Sequence, residues 1–86
     1  MIQEAVTRIW RMEYCFDMLQ CMYAKNPAAL REDAGCRAML ACLIRYYEGE
    51  QWLQDYALDE QGLLPGNLKR GVLSQDGVYN FLTQIQ

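Results

Sequence analysis

The chain has 86 residues, 52% of them apolar, and carries a formal net charge of −3 with a sequence pI near 4.7. That length fits one domain near the lower limit of what a single core stabilises, so the high apolar content points to a second buried surface such as a self-association face. Eleven acidic residues outnumber eight basic ones, which argues against a nucleic-acid polymer as partner, because phosphate-backbone binding needs a basic surface.

The first helix is expected over Ile2–Lys25. Ile2, Ala5, Ile9, Met12, Phe16, Leu19 and Tyr23 recur in steps of three and four, and neither proline nor glycine interrupts them. A second apolar stripe, Tyr14, Met18 and Cys21, lies nearly opposite, with Trp10 and Val6 flanking the first seam. An amphipathic surface helix needs only one stripe. Either the rest of the chain covers the second one, or Trp10, Tyr14, Met18 and Cys21 form a homo-oligomer interface or a groove for a protein partner.

Asn26-Pro27 reads as a helix break and restart, with asparagine as N-cap and proline at the first helical position. The second helix is expected over Pro27–Tyr47, antiparallel to the first. Its first half is weak, because Gly35 and the charges Arg31, Glu32 and Asp33 leave little apolar face, and a loop within 30–35 is the alternative. Its second half is strong. Cys36, Met39, Leu40, Leu43, Ile44 and Tyr47 form a wide apolar face, and the nearly all-apolar run from Ala38 to Ile44 places this helix centrally.

Gly49 ends that helix and a short third one follows over Glu50–Glu60, with Trp52, Leu53 and Tyr56 facing inward. Gly62 is a left-handed C-cap. Residues Gly62–Leu73 form a loop marked by Pro65-Gly66, and its Leu63, Leu64, Leu68, Val72 and Leu73 lay it on the core. Ser74 caps a last helix over Gln75–Gln84 whose buried stripe is Val78, Phe81, Leu82 and Ile85. The fold class is all-α: a small single-domain helical bundle of two long antiparallel helices plus two short C-terminal ones, joined by a core-packed loop.

The pattern Tyr46-Tyr47, Trp52, Asp55, Asp59-Glu60, Gly62, Leu64-Pro65 and the block Leu68-Lys69-Arg70-Gly71-Val72-Leu73-Ser74, with Asp76 and Tyr79, resembles the bacterial domain-of-unknown-function family 4298. The likeness is close over about the last forty residues. At position 49 the family commonly has serine, which would cap the third helix through its hydroxyl; Gly49 has none. The resemblance implies support for the fold, a bacterial or phage-borne protein, and no catalytic residues.

Two candidate sites follow from the residues themselves. Lys69, Arg70 and Gly71 lead into the Ser74 helix start, where free N–H groups and two cations would take an anion. Tyr46, Tyr47, Trp52 and Tyr56 could stack on a base, giving a site for a small phosphorylated ligand or signalling nucleotide. The competing reading pairs Lys69 or Arg70 with Asp55, Asp59 or Glu60 to pin the loop, with the aromatics in the core. Metal binding and catalysis lack support. The chain has no histidine, and the pairs Cys15/Cys21 and Cys36/Cys42 each sit about 120° apart on a helix. No cofactor is expected.

No run is long enough to span a membrane, and Glu4, Arg8 and Arg11 interrupt the place of a signal-peptide core, so the expected location is the cytoplasm. The chain therefore reads as a non-enzymatic interaction module that self-associates, with an oligomeric small-ligand binder as the alternative.

Overall fold

The computed structural model describes residues 2–74 and 76–85. It is all-α, with five helices and no strand among the described residues: α1 (Ile2–Lys25), α2 (Ala29–Glu32), α3 (Ala34–Tyr47), α4 (Glu50–Glu60) and α5 (Gly77–Ile85), plus a 3₁₀ turn at Gly71–Leu73. The molecule measures 38 × 23 × 20 Å. At about 1.5 Å per residue, the 24 residues of α1 run almost its full length.

The core forms where the period of α1 directs it. Ala5, Ile9, Phe16 and Leu19 are buried, Met12 and Tyr23 half-buried, and only Ile2 of the expected seam is exposed. They meet Leu30, Cys36, Leu43 and Tyr46 from α2 and α3, then Leu64, Val72 and Leu73 from the long loop, and Val78 and Phe81 from α5. Phe81 sets its ring edge-on against both Phe16 and Tyr23. The long loop does lie on the core, as its leucines predict, although Leu63 is exposed.

The expected second helix is two helices. Asp33 is extended (φ −85°, ψ 123°), and its Oδ2 accepts the Cys36 N–H at 2.9 Å. This carboxylate satisfies an orphan amide at the start of α3, so the charge that weakens the first half of the segment is a cap that divides it. Asn26 does not act as a side-chain cap. It contributes its carbonyl, which accepts the Ala29 N–H at 2.9 Å, and α2 has no side-chain cap. Nor is α3 enclosed all round, since Ala38, Ala41 and Cys42 are exposed.

In α4 the inward set is shifted. Leu53 is 62% exposed, Trp52 and Tyr56 are half-buried, and Asp55 is fully buried. Beyond α4, Gly62 has φ 72°. Leu63 N–H bonds the Leu58 carbonyl and Gly62 N–H that of Asp59, at 3.0 Å each. This is a Schellman closure, which needs the left-handed conformation that glycine enters without steric cost.

Ser74 caps as expected, its Oγ accepting the Gly77 N–H at 3.3 Å, and α5 begins at Gly77. The expected helix start at Gln75 lies outside the described residues. Val78 and Phe81 of the last helix are buried, while Leu82 and Ile85 are half-buried.

Candidate functional site

The segment 68–74 is held from two sides. Lys69 Nζ donates to Asp17 Oδ2 of α1 at 2.8 Å. The Arg70 guanidinium pairs with Asp59 of α4 and also donates to the Pro65 carbonyl at 2.9 Å. Val72 N–H donates to Glu13 Oε1 of α1 at 3.1 Å, and Val72 C=O accepts from Trp52 Nε1 of α4 at 2.8 Å. Successive groups of this strap thus engage α1, α4, α1 and α4. Gly71 fits the same arrangement, because a Cβ there would lie 3.2 Å from Glu13 Oε2.

Both cations of the expected anion site therefore meet carboxylates of their own chain. Arg70 pairs with Asp59, one of its three anticipated partners. Lys69 reaches Asp17 instead, and the Asp17 carboxylate pushes its ammonium pKa up. Tyr47, Trp52 and Tyr56 do assemble: Tyr47 stands edge-on to Trp52 at 5.3 Å, and Trp52 stacks on Tyr56 at 5.2 Å. The indole N–H of this cluster is committed to the strap. The Lys69–Asp17 pair is solvent-exposed, so Lys69→Ala should leave the urea unfolding midpoint close to that of wild type. Arg70→Ala removes a half-buried pair and a carbonyl contact and should cost about 1–3 kcal/mol in urea unfolding.

A second polar cluster lies between α1, α3 and α4. Asp55 is fully buried; Arg8 Nε and Tyr46 Oη donate to its Oδ2 at 2.8 and 2.7 Å, and Arg8 Nη2 pairs with Oδ1. The bond to Asp55 pushes the Arg8 pKa up. Burial, then the Asp55 carboxylate, push the Tyr46 phenol well above its ordinary value, so it remains a neutral donor. The aspartate is closed off and fully used by these partners, which is the behaviour of a structural tie.

The outer face of α1 differs. Trp10 is 64% exposed and Tyr14 56%, and their rings stack at 6.4 Å with 15° between planes. Met18 is half-buried and Cys21 exposed. Beside them runs a groove of about 470 Å³ between α1 and the 65–69 segment, with Val6, Pro65 and Leu68 as its apolar lining and Glu13, Asp17 and Lys69 as its polar one. The four residues of the sequence-derived stripe thus share one edge of α1, exposed at Trp10, Tyr14 and Cys21 and half-buried at Met18.

Among the described residues no group of three or more Cys, Asp or Glu is placed to hold a metal ion. No helix of the described residues is long and apolar enough to cross a membrane. The residues missed from sequence are Arg8, Glu13 and Asp17, and Asp55, anticipated as a partner of Lys69 or Arg70, meets Arg8 and Tyr46 instead. Glu13 stands four after Ile9 and three before Phe16, spacings that place it beside the buried stripe, and Asp55 follows Trp52 by three; those spacings were the available signal.

These observations define a small all-α bundle whose loop segment is strapped between two helices. The family model for a domain of unknown function, DUF4298, matches residues 9–86, and the chain belongs to that family. The match takes in most of α1 as well as the C-terminal block. No curated protein and no solved structure matches the chain.

Proposed function

We propose that the protein is a non-enzymatic interaction module that self-associates through the outer face of α1. The observation that carries the reading is the stacked Trp10–Tyr14 pair, standing in solvent on the side of α1 opposite its buried residues. Relative to Tyr14, Trp10, Met18 and Cys21 all fall within about 40° at 100° per residue, whereas Ala5 falls about 180° away. Aromatic residues and methionine are the types enriched in interface centres. A standard interface takes about 800 Å² from each partner, about one seventh of this protein's 5689 Å². The stripe from Trp10 to Cys21 extends about 16 Å along α1, and the groove beside it adds surface toward that area.

The phosphorylated-ligand alternative demands more. An incoming anion would have to displace Asp17 from Lys69 and Asp59 from Arg70, and its approach would meet the nearby Glu13 carboxylate.

The test is sedimentation velocity over a concentration series. Tyr14→Glu, at an exposed position, should leave the far-ultraviolet dichroism unchanged and convert the assembly to monomer. Leu53→Glu, at the exposed face of α4, should leave it intact. A wild-type chain that sediments as a monomer throughout the series would defeat the proposal.

A further inference from the structure

The four cysteines are all free, and they are not equivalent in position. α1 packs against α3, and the flanks that carry Arg8 of α1 and Tyr46 of α3 converge on the same Asp55 oxygen beside that contact; an early residue of α1 beside a late one of α3 makes the two helices antiparallel. Cys15 follows Arg8 by seven residues, which returns it to the same flank within about 20° and about 10 Å along the axis. Cys42 precedes Tyr46 by four, within about 40° of the same flank and about 6 Å along. In antiparallel helices both steps run in the same direction, so the two thiols come to facing positions one layer beyond the Asp55 cluster. Cys21 turns about 120° away from Cys15 toward the outer face, and Cys36 is buried at the start of α3. The charge of Cys42 acts on Cys15, which places the thiols within electrostatic reach; burial is the larger cause raising the Cys15 thiol.

We propose that Cys15 and Cys42 are a redox-active pair that closes to an intramolecular disulfide on exposure to a disulfide oxidant, stapling α1 to α3. Cys42 is exposed and Cys15 half-buried, which sets the order of events. The Cys42 thiolate attacks one sulfur of oxidised glutathione, forming a mixed disulfide and expelling one glutathione thiolate. The Cys15 thiol gives up its proton to solvent, and its thiolate attacks Cys42 Sγ and expels the second glutathione. Two protein thiols are oxidised and one glutathione disulfide is reduced to two thiols. The closed bond constrains the loop between positions 15 and 42 in the unfolded chain, so the oxidised protein resists unfolding more than the reduced one.

The experiment exposes the full chain to a glutathione redox series, traps free thiols by alkylation and maps the peptides by mass spectrometry. The expected product is a 15–42 cross-linked peptide, with Cys36 still alkylatable after unfolding and a midpoint of thermal unfolding raised by roughly 10 °C. Cys42→Ser should abolish the cross-link, and Cys21→Ser should leave it in place. A stable glutathione adduct on Cys42 with Cys15 still free would overturn the proposal. So would cross-linking through Cys21 alone. Neither result depends on whether the protein self-associates, which the sedimentation series reads separately.

Discussion

Asp55→Ala is expected to cost about 3–5 kcal/mol, the range for removing one member of a buried, hydrogen-bonded charge cluster. At about 0.05–0.15 kcal/mol per residue, a domain of this length has about 4–13 kcal/mol in total, so the substitution removes from about a quarter of the stability to all of it. The loss arises from what is left behind. Arg8 and Tyr46 both lose their acceptor, and the Tyr46 hydroxyl sits in a buried residue. Arg8 is partly exposed and can turn to water, which moves the expected value toward the lower end. Asp55→Asn keeps an acceptor for Tyr46 but removes the charge facing Arg8, and should fall between wild type and alanine.

A hydrophobic set such as Arg8→Met and Asp55→Leu with Tyr46→Phe should recover most of the loss, because desolvating the original charges was itself unfavourable and no buried hydroxyl is left without an acceptor. Equilibrium urea unfolding of the three variants measures this. If Asp55→Ala unfolds within 1 kcal/mol of wild type, the cluster does not hold α4 to the hairpin. The pH dependence has a definite sign. The Tyr46 phenol titrates higher in the folded chain than in the unfolded one. Its contribution is therefore complete below the ordinary tyrosine value near 10 and is lost as pH rises beyond it. A spectrophotometric titration should show one tyrosine ionising later than the others, and only upon unfolding.

Much of this architecture was legible in the residue pattern because α1 is long and regular. Ile9, Phe16 and Leu19 are buried for the reason their spacing gives, and the stripe from Trp10 to Cys21 is open because it lies opposite them. Gly62 and Ser74 were equally readable, since a left-handed C-cap and a hydroxyl N-cap are local requirements. The errors share one cause. Asp33, Asp55 and Glu13 are carboxylates, which periodicity treats as solvent-facing, and each is occupied by a specific donor: the Cys36 amide, the Arg8–Tyr46 pair and the Val72 amide. Donors 47 and 59 residues away in sequence leave no local trace at the acceptor. The same limit governs Lys69, whose charge was evident while its partner Asp17 depended on how the loop crosses α1; for Arg70, Asp59 was among the partners its sequence neighbourhood offered.

Trp52 is where the two readings of the aromatic cluster give different numbers. As a member of a solvent-facing stacking wall, it could be replaced by phenylalanine at little cost to the fold. As the donor that ties α4 to the strap, it could not. Trp52→Phe keeps an aromatic ring for the edge-on contact with Tyr47 and the stack on Tyr56, but it removes the N–H that the Val72 carbonyl accepts at 2.8 Å. Val72 is fully buried, so its carbonyl would be left without that bond away from water, at a cost of about 1–3 kcal/mol. Trp52→Ala removes the packing as well and should reach about 3 kcal/mol, the low end for aromatic truncation, because Trp52 is only half-buried. Hydrogen exchange adds a local readout. The Val72 amide, held by Glu13, should lose protection in Trp52→Phe before the α1 amides do, since the strap would then keep only the Arg70–Asp59 pair as its tie to α4. Exchange at Val72 unchanged from wild type, together with full stability of Trp52→Phe, would return the cluster to the role of a surface for something else to stack upon.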